Sequence, residues 1–269
     1  MDKLEESILI VSHPDDECLF ASSILDKIST LIICFNDIPK RKIISEGRRK
    51  ALDTFPLKNI KIINLSISQS TESIFPLNWF NIQDKFSGIN GGYKVRSYDQ
   101  NYFKLIKELT KQIPSNSKII THNPWGEYGH GEHCQVFKAC FEIANKKKSQ
   151  LFVSGYISNL SKFYALKKIH LLIPKIYAYR TNKKLFNLLR EHYLLNNCWT
   201  WFKQYKLPEI ECFYEINLKI NKDSSYPKNK YINIPLNYVE NISPFSYFGK
   251  RILKSLIPSF LKERLITHK

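Results

Sequence analysis

With 269 residues the chain lies at the upper end of what one domain holds, so one large domain with a decorated C-terminal part is the default expectation. Hydrophobic residues at 43% and charged residues at 24% are ordinary for a globular chain and exclude a disordered or fibrous one. The charge is less ordinary: 41 Lys and Arg against 24 Asp and Glu give +17, which suits phosphate-rich partners or an anionic surface and equally suits a chain rich in Lys, Asn and Ile.

Residues 7–12 form a short β-branched run of the kind buried on both faces of a parallel sheet. After the polar cluster at 13–17, Leu19, Phe20, Ile24, Leu25 and Ile28 recur at helical spacing, and residues 30–35 make a second strand. A helix over 41–55 and a third strand over 60–65 continue the alternation, which predicts an α/β fold of the Rossmann-like, doubly wound kind: a mostly parallel central sheet flanked by helices. Residues 66–98 lose periodicity and read as a long loop. A helix over 102–112, a strand over 117–121, a polar segment to 132, a helix over 133–146 and a strand over 151–154 follow. Farther on, 185–196 reads as helix and 211–220 as extended.

The last segment, 246–269, is a basic amphipathic tail with six Lys or Arg against one Glu, interrupted by Pro258. The domain reading is therefore 1–245 plus this C-terminal extension, which is a candidate for peripheral contact with a membrane surface or for packing on the domain. The six cysteines contain no C-x-x-C pair, the first residues lack a signal-peptide pattern, and no apolar run approaches the roughly 20 residues needed to span a bilayer. The expected location is cytoplasmic, peripheral on the inner membrane surface if the tail binds there. No nucleic-acid module is present, and no nucleic-acid partner is expected.

Two clusters carry the chemistry. The first, Ser12-His13-Pro14-Asp15-Asp16-Glu17, falls where the first strand ends, the place where open α/β sheets bind ligands. Pro14 stiffens the turn, and His13 and Asp16 are spaced to converge on one ion. Asp15, between them, is placed as a carboxylate beside a metal site's water, the geometry of a general base. The second cluster, from Thr121 to His133, packs His122, His130 and His133 into twelve residues after another buried strand. His130 and His133 straddle a loop-to-helix transition, so one can ligate a metal while the other faces substrate, completing a three-ligand zinc site with an open position.

His13-Pro14-Asp15-Asp16-Glu17 and Gly126-Glu127-Tyr128-Gly129-His130-Gly131-Glu132-His133 together resemble the signature segments of the PIG-L/LmbE family, zinc-dependent de-N-acetylases of the N-acetylglucosaminylphosphatidylinositol deacetylase type. The resemblance is anchored over residues 7–154. It implies zinc as cofactor, with His13, Asp16 and His133 as ligands and Asp15 as general base. It implies that His130 stabilises the tetrahedral intermediate or protonates the leaving amine, and that Tyr128 is a mobile active-site hydroxyl. The chain departs from the family in carrying Gly131-Glu132 where Pro-Asp is commoner. Glu132 would orient His130; His122, read from its place in the cluster, supports the site from behind or is a satisfied structural histidine. For the substrate-contacting arginine Arg48 and Arg49 are the candidates, and Trp125, Glu17 and Arg96 are further candidates for substrate contact.

The implied substrate is an N-acetylglucosamine-type amino sugar on a lipid, a nucleotide or a polysaccharide precursor. A metal-dependent glycosyltransferase and a non-catalytic sugar-binding protein are the alternatives; hard-cation sites lean on oxygen ligands, whereas a His-Asp-His set points to zinc.

Overall fold

A computed structural model describes residues 4–39, 41–70, 83–85, 88–90, 96–202, 205–219 and 234–239, with the backbone alone at 83–85, 88–90 and 96. The tail at 246–269, the side chain of Arg96 and most of the segment between 66 and 98 lie outside the described residues.

In chain order the strands are β1 (Ile8–Val11), β2 (Thr30–Asp37), β3 (Lys61–Ser68), β4 (Gln83–Lys85), β5 (Gly88–Asn90), β6 (Lys118–Thr121), β7 (Gln150–Ser154), β8 (Tyr156–Ile157), β9 (Leu172–Arg180), β10 (Ile210–Ile216) and β11 (Asn237–Tyr238). The helices are α1 (Asp16–Phe20), α2 (Lys42–Asp53), α3 (Arg96–Gln112), α4 (Gly131–Lys147), α5 (Lys162–Lys168) and α6 (Lys183–Leu195). Seven strands form one sheet in the order β3-β2-β1-β6-β7-β10-β9. The first five run parallel, and β10 then pairs antiparallel with both β7 and β9.

The period of two along each strand divides the core. Leu9, Val11, Leu31 and Ile33 join one apolar cluster that includes α1, α2 and α6 residues, while Ile8, Ile10, Ile32 and Cys34 join a second that includes α3 and α4 residues. The result is a layered α/β/α fold, as the alternation of elements predicts. The order also sets the place of the site. From β1 the chain steps outward to β2 and β3 on one side, and it later returns to pair β6 on the other, so the carboxyl ends of β1 and β6 border the crevice of a topological switch point. His13 follows β1 and His122 follows β6.

Several elements differ from the sequence reading. The helical spacing through Ile28 is not one helix: α1 stops at Phe20 because Ser22 Oγ and Ser23 N donate to the buried Glu211 carboxylate at 3.1 and 2.7 Å, replacing helical bonds. The unperiodic stretch of 66–98 contains the short hairpin β4–β5, and α3 begins at Arg96 rather than 102. Strand β9 escapes sequence reading because Pro174 interrupts its run, a residue tolerated here because β9 is an edge strand. All six cysteines are free and buried. Among the described residues no helix is long and apolar enough to cross a membrane.

Candidate metal centre

The turn after β1 is built around Asp15, which takes φ 105 and ψ −24, a left-handed conformation uncommon for a residue with a Cβ. Three local bonds hold it there. Asp15 N donates to Glu17 Oε2 (3.1 Å), Leu19 N donates to Asp15 O (3.1 Å), and His13 N donates to Asp16 Oδ2 (2.8 Å). The second loop reverses through Gly126 (φ 65), Glu127 (φ 53) and Gly129 (φ 95) before His130 caps α4. Gly126 is required there, because a Cβ would stand 2.5 Å from the His130 carbonyl oxygen.

Together these turns bring His13, Asp16 and His133 within 4.8 Å of one another, all buried. His13 Nδ1 lies 3.1 Å and His133 Nε2 3.3 Å from the same oxygen, Asp16 Oδ2. The far side of each ring fixes its tautomer. His13 Nε2 is 2.8 Å from Glu132 Oε2, and His133 Nδ1 is 2.7 Å from Glu127 Oε2. Both carboxylates are ionised: burial alone would raise them, but the neighbouring histidines and their hydrogen bonds pull Glu127 down to about 2 and Glu132 below its ordinary value. An ionised carboxylate only accepts, so in each neutral ring the proton sits on the nitrogen facing the glutamate. His13 Nδ1 and His133 Nε2 then present lone pairs to Asp16. Burial would also raise the Asp16 carboxyl, yet His133 and His13 hold it well below the usual carboxylate range. His133 Nε2 is buried without a hydrogen-bond partner. With both rings neutral, three acceptors converge on one point, an arrangement that a bound cation resolves; without a cation, burial lowers His13 but the Asp16 and Glu132 carboxylates outweigh it and raise it above its ordinary value. Two imidazole nitrogens and one carboxylate oxygen suit zinc, with room in its preferred coordination number for a fourth ligand.

The surrounding residues have distinct placements. Asp15 is buried, and burial followed by the Asp16 charge pushes its carboxyl up to about 6, against the opposing charge of Arg48 and a bond from Thr200. His130 Nδ1 accepts from Glu132 N at 3.2 Å, so its other nitrogen carries the proton of the neutral ring, which stacks on His133 at 4.6 Å between centroids. Burial, then the charges of His133 and His13, lower His130 well below its ordinary value. The Tyr128 ring stands 5.4 Å from that of His133 and 5.7 Å from that of His130. His122 supports the site from behind: Ser12 N donates to its Nε2 (2.8 Å), and its Nδ1 faces Glu127 Oε2 (3.1 Å).

Three expectations need correction. Trp125 does not border a pocket; it is fully buried in the core, and its Nε1–H donates to the Tyr156 carbonyl at 2.6 Å. Glu17 has no face for substrate either, since its fully buried carboxylate accepts from Tyr193 OH (2.6 Å) and from Asp15 N, bracing the turn. Glu132 spends its carboxylate on His13, Gln69 and Ser70, and only its backbone N–H reaches His130. Arg48 and Arg49 part company: Arg49 pairs with Asp37 at the surface, whereas Arg48 is buried, with Nη1 3.4 Å from Gln69 Oε1.

Sequence reasoning did not single out Glu127, Gln69 or Thr200. Glu127 is the most consequential, because one carboxylate oxygen faces both His122 and His133 while the other accepts from Asn123 N and Ser154 Oγ. Its place inside the histidine cluster was the available signal. Replacing Glu127 by Gln puts a donor where only an acceptor serves, and we expect zinc affinity to fall roughly 10- to 100-fold. Competition against a chromophoric chelator measures this, and unchanged affinity would show that Glu127 does not set the His133 tautomer.

Comparison with known proteins adds the following. No family model matches the chain. An uncharacterized protein of Acanthamoeba polyphaga mimivirus is 27% identical over 195 residues, covering 67% of this chain and 73% of the viral protein. Among solved structures, the deacetylase–bog complex from the biosynthesis pathway of teicoplanin aligns with a TM-score of 0.50 at 14% identity, covering 81% of this chain and all of that one. The zinc-inhibited form of teicoplanin deacetylase aligns at 0.49 with the same identity and coverage.

Proposed function

We propose that the protein is a zinc-dependent hydrolase that removes the N-acetyl group of an N-acetylglucosamine-type amino sugar and releases acetate. One observation carries the reading: His13 Nδ1 and His133 Nε2 both face Asp16 Oδ2, at 3.1 and 3.3 Å, with glutamate carboxylates at the outer nitrogens. The fold shared with a deacetylase offers the same scaffold, but the donor set is the argument. His13, Asp16 and His133 hold the ion, which when bound polarises a carbonyl and acidifies a water.

The remaining steps belong to the chain's own side chains. Asp15 accepts the proton of the attacking water, since Asp16 is engaged by the ligand histidines and both oxygens of Glu17 accept from Tyr193 OH and Asp15 N. His130, neutral with its proton on Nε2, donates to the oxygen that gains charge as the amide carbon becomes tetrahedral. The Tyr128 ring stands beside it, 5.7 Å between centroids. The proton held by Asp15 then passes to the departing amine, leaving acetate and a free amino sugar. Buried Arg48 lies close enough to act on Asp15 electrostatically.

The test is direct. Zinc-loaded protein is incubated with N-acetylated sugars that are free, nucleotide-linked or lipid-linked, and released acetate is quantified together with bound metal. Acetate release from at least one sugar with one zinc per chain is the expected result. No release from any sugar, combined with no bound metal, removes the reading.

A further inference from the structure

We propose that Thr200, 185 positions from the turn that it serves, is a positioning residue that fixes which oxygen of Asp15 receives the proton; the proposal rests on the role given to Asp15 above. Thr200 donates twice to one atom: its Oγ1 lies 2.7 Å and its backbone N 3.2 Å from Asp15 Oδ2. Both Thr200 donors engage Oδ2, and we assign the proton transfer to Oδ1. A carboxylate on a left-handed residue has its backbone set by the turn, but its side-chain torsion still needs a partner, and Thr200 is that partner.

Thr200 is itself held. It follows α6, whose Tyr193 OH donates to Glu17 Oε1 (2.6 Å), and Glu17 Oε2 accepts from Asp15 N, so the same segment grips the turn at two points. Cys198 N donates back to Tyr193 O at 3.0 Å. At Gly47 of α2 a Cβ would stand 2.0 Å from the Asn196 carbonyl oxygen, so that glycine lets the post-helix loop settle against α2. Beyond Thr200, the Trp201 ring packs 4.8 Å from Tyr128. The segment after α6, which carries no signature motif, therefore reaches the base on one side and the wall beside His130 on the other.

The test compares wild type, Thr200→Val and Thr200→Ser. Valine keeps the shape and the backbone donor and removes only the hydroxyl. On the sugar that wild type turns over best, kcat of T200V is expected to fall about 10- to 100-fold, with KM and zinc content within twofold of wild type and with T200S restoring most of the rate. A crystal structure of T200V supplies the readout independent of turnover: the Asp15 carboxylate is expected to rotate from its wild-type torsion. An unchanged kcat, an unchanged Asp15 torsion, or a loss of zinc matching the loss of rate would each overturn the positioning role. Should wild type release acetate from no sugar, the deacetylase reading falls, and the Asp15 torsion alone decides whether Thr200 sets the carboxylate.

Discussion

Asp15→Asn is expected to lower acetate release by roughly 10²- to 10⁴-fold, the usual worth of a general base, with fold and zinc content retained. The substitution isolates the proton transfer. Asparagine is among the residues that best tolerate a positive φ, so the backbone at φ 105 is preserved. Its amide oxygen can still accept from Thr200 Oγ1 and N, so the contact with the post-α6 loop survives. What is lost is the capacity to hold a proton, together with one negative charge beside Asp16. Removing that charge leaves the ligand set intact, because the hydrogen bonds orienting His13 and His133 come from Glu132 and Glu127. Acetate release and zinc content measured on the same preparation decide the matter. A D15N protein that loses zinc along with activity would show that Asp15 and Asp16 have exchanged roles.

The division between what the sequence disclosed and what it did not follows the reach of each interaction. Strands β1, β2, β6 and β7 were legible because a β-branched run buried on both faces is a local property, and their order followed from the alternation with helices. The convergence of His13 and Asp16 was legible because they are three positions apart on one stiff turn. Glu132 was placed on the wrong histidine: its carboxylate reaches His13 across 119 positions, whereas proximity in sequence pointed to His130. Trp125 was misplaced for a related reason. An aromatic residue inside a motif looks like part of a binding surface, and only the arrival of the Tyr156 carbonyl from the start of β8 shows it to be core. The early end of α1 depends on Glu211, nearly 190 positions away, so no local pattern records it. Thr200 is the extreme case, a hydroxyl in an unpatterned loop whose partner is set by the packing of α6 against α1 and α2.

Asp16→Ala is expected to remove zinc binding altogether, because Asp16 does two things that no neighbour duplicates. Its Oδ2 is the only oxygen of the donor set, and it also accepts from His13 N at 2.8 Å, which orients the first histidine. Without it the two imidazoles face each other across a site with no negative ligand, and a buried backbone N–H loses its partner, a deficit of about 1–3 kcal/mol. The thermal readout follows from linkage. Zinc at 100 times its Kd stabilises a protein that binds it only when folded by about 2.7 kcal/mol. For a domain of this size that raises the midpoint by roughly 5–10 °C. Wild type should show this shift on adding zinc and lose it on chelation, whereas Asp16→Ala should melt at one temperature under both conditions and release no acetate. Because Asp15, His130 and Thr200 remain in place in the variant, the loss would belong to the metal and not to the proton-transfer groups. A variant that still binds one zinc per chain with the full thermal shift would mean that the ion sits elsewhere among the histidines, and the His13–Asp16–His133 assignment would have to be abandoned.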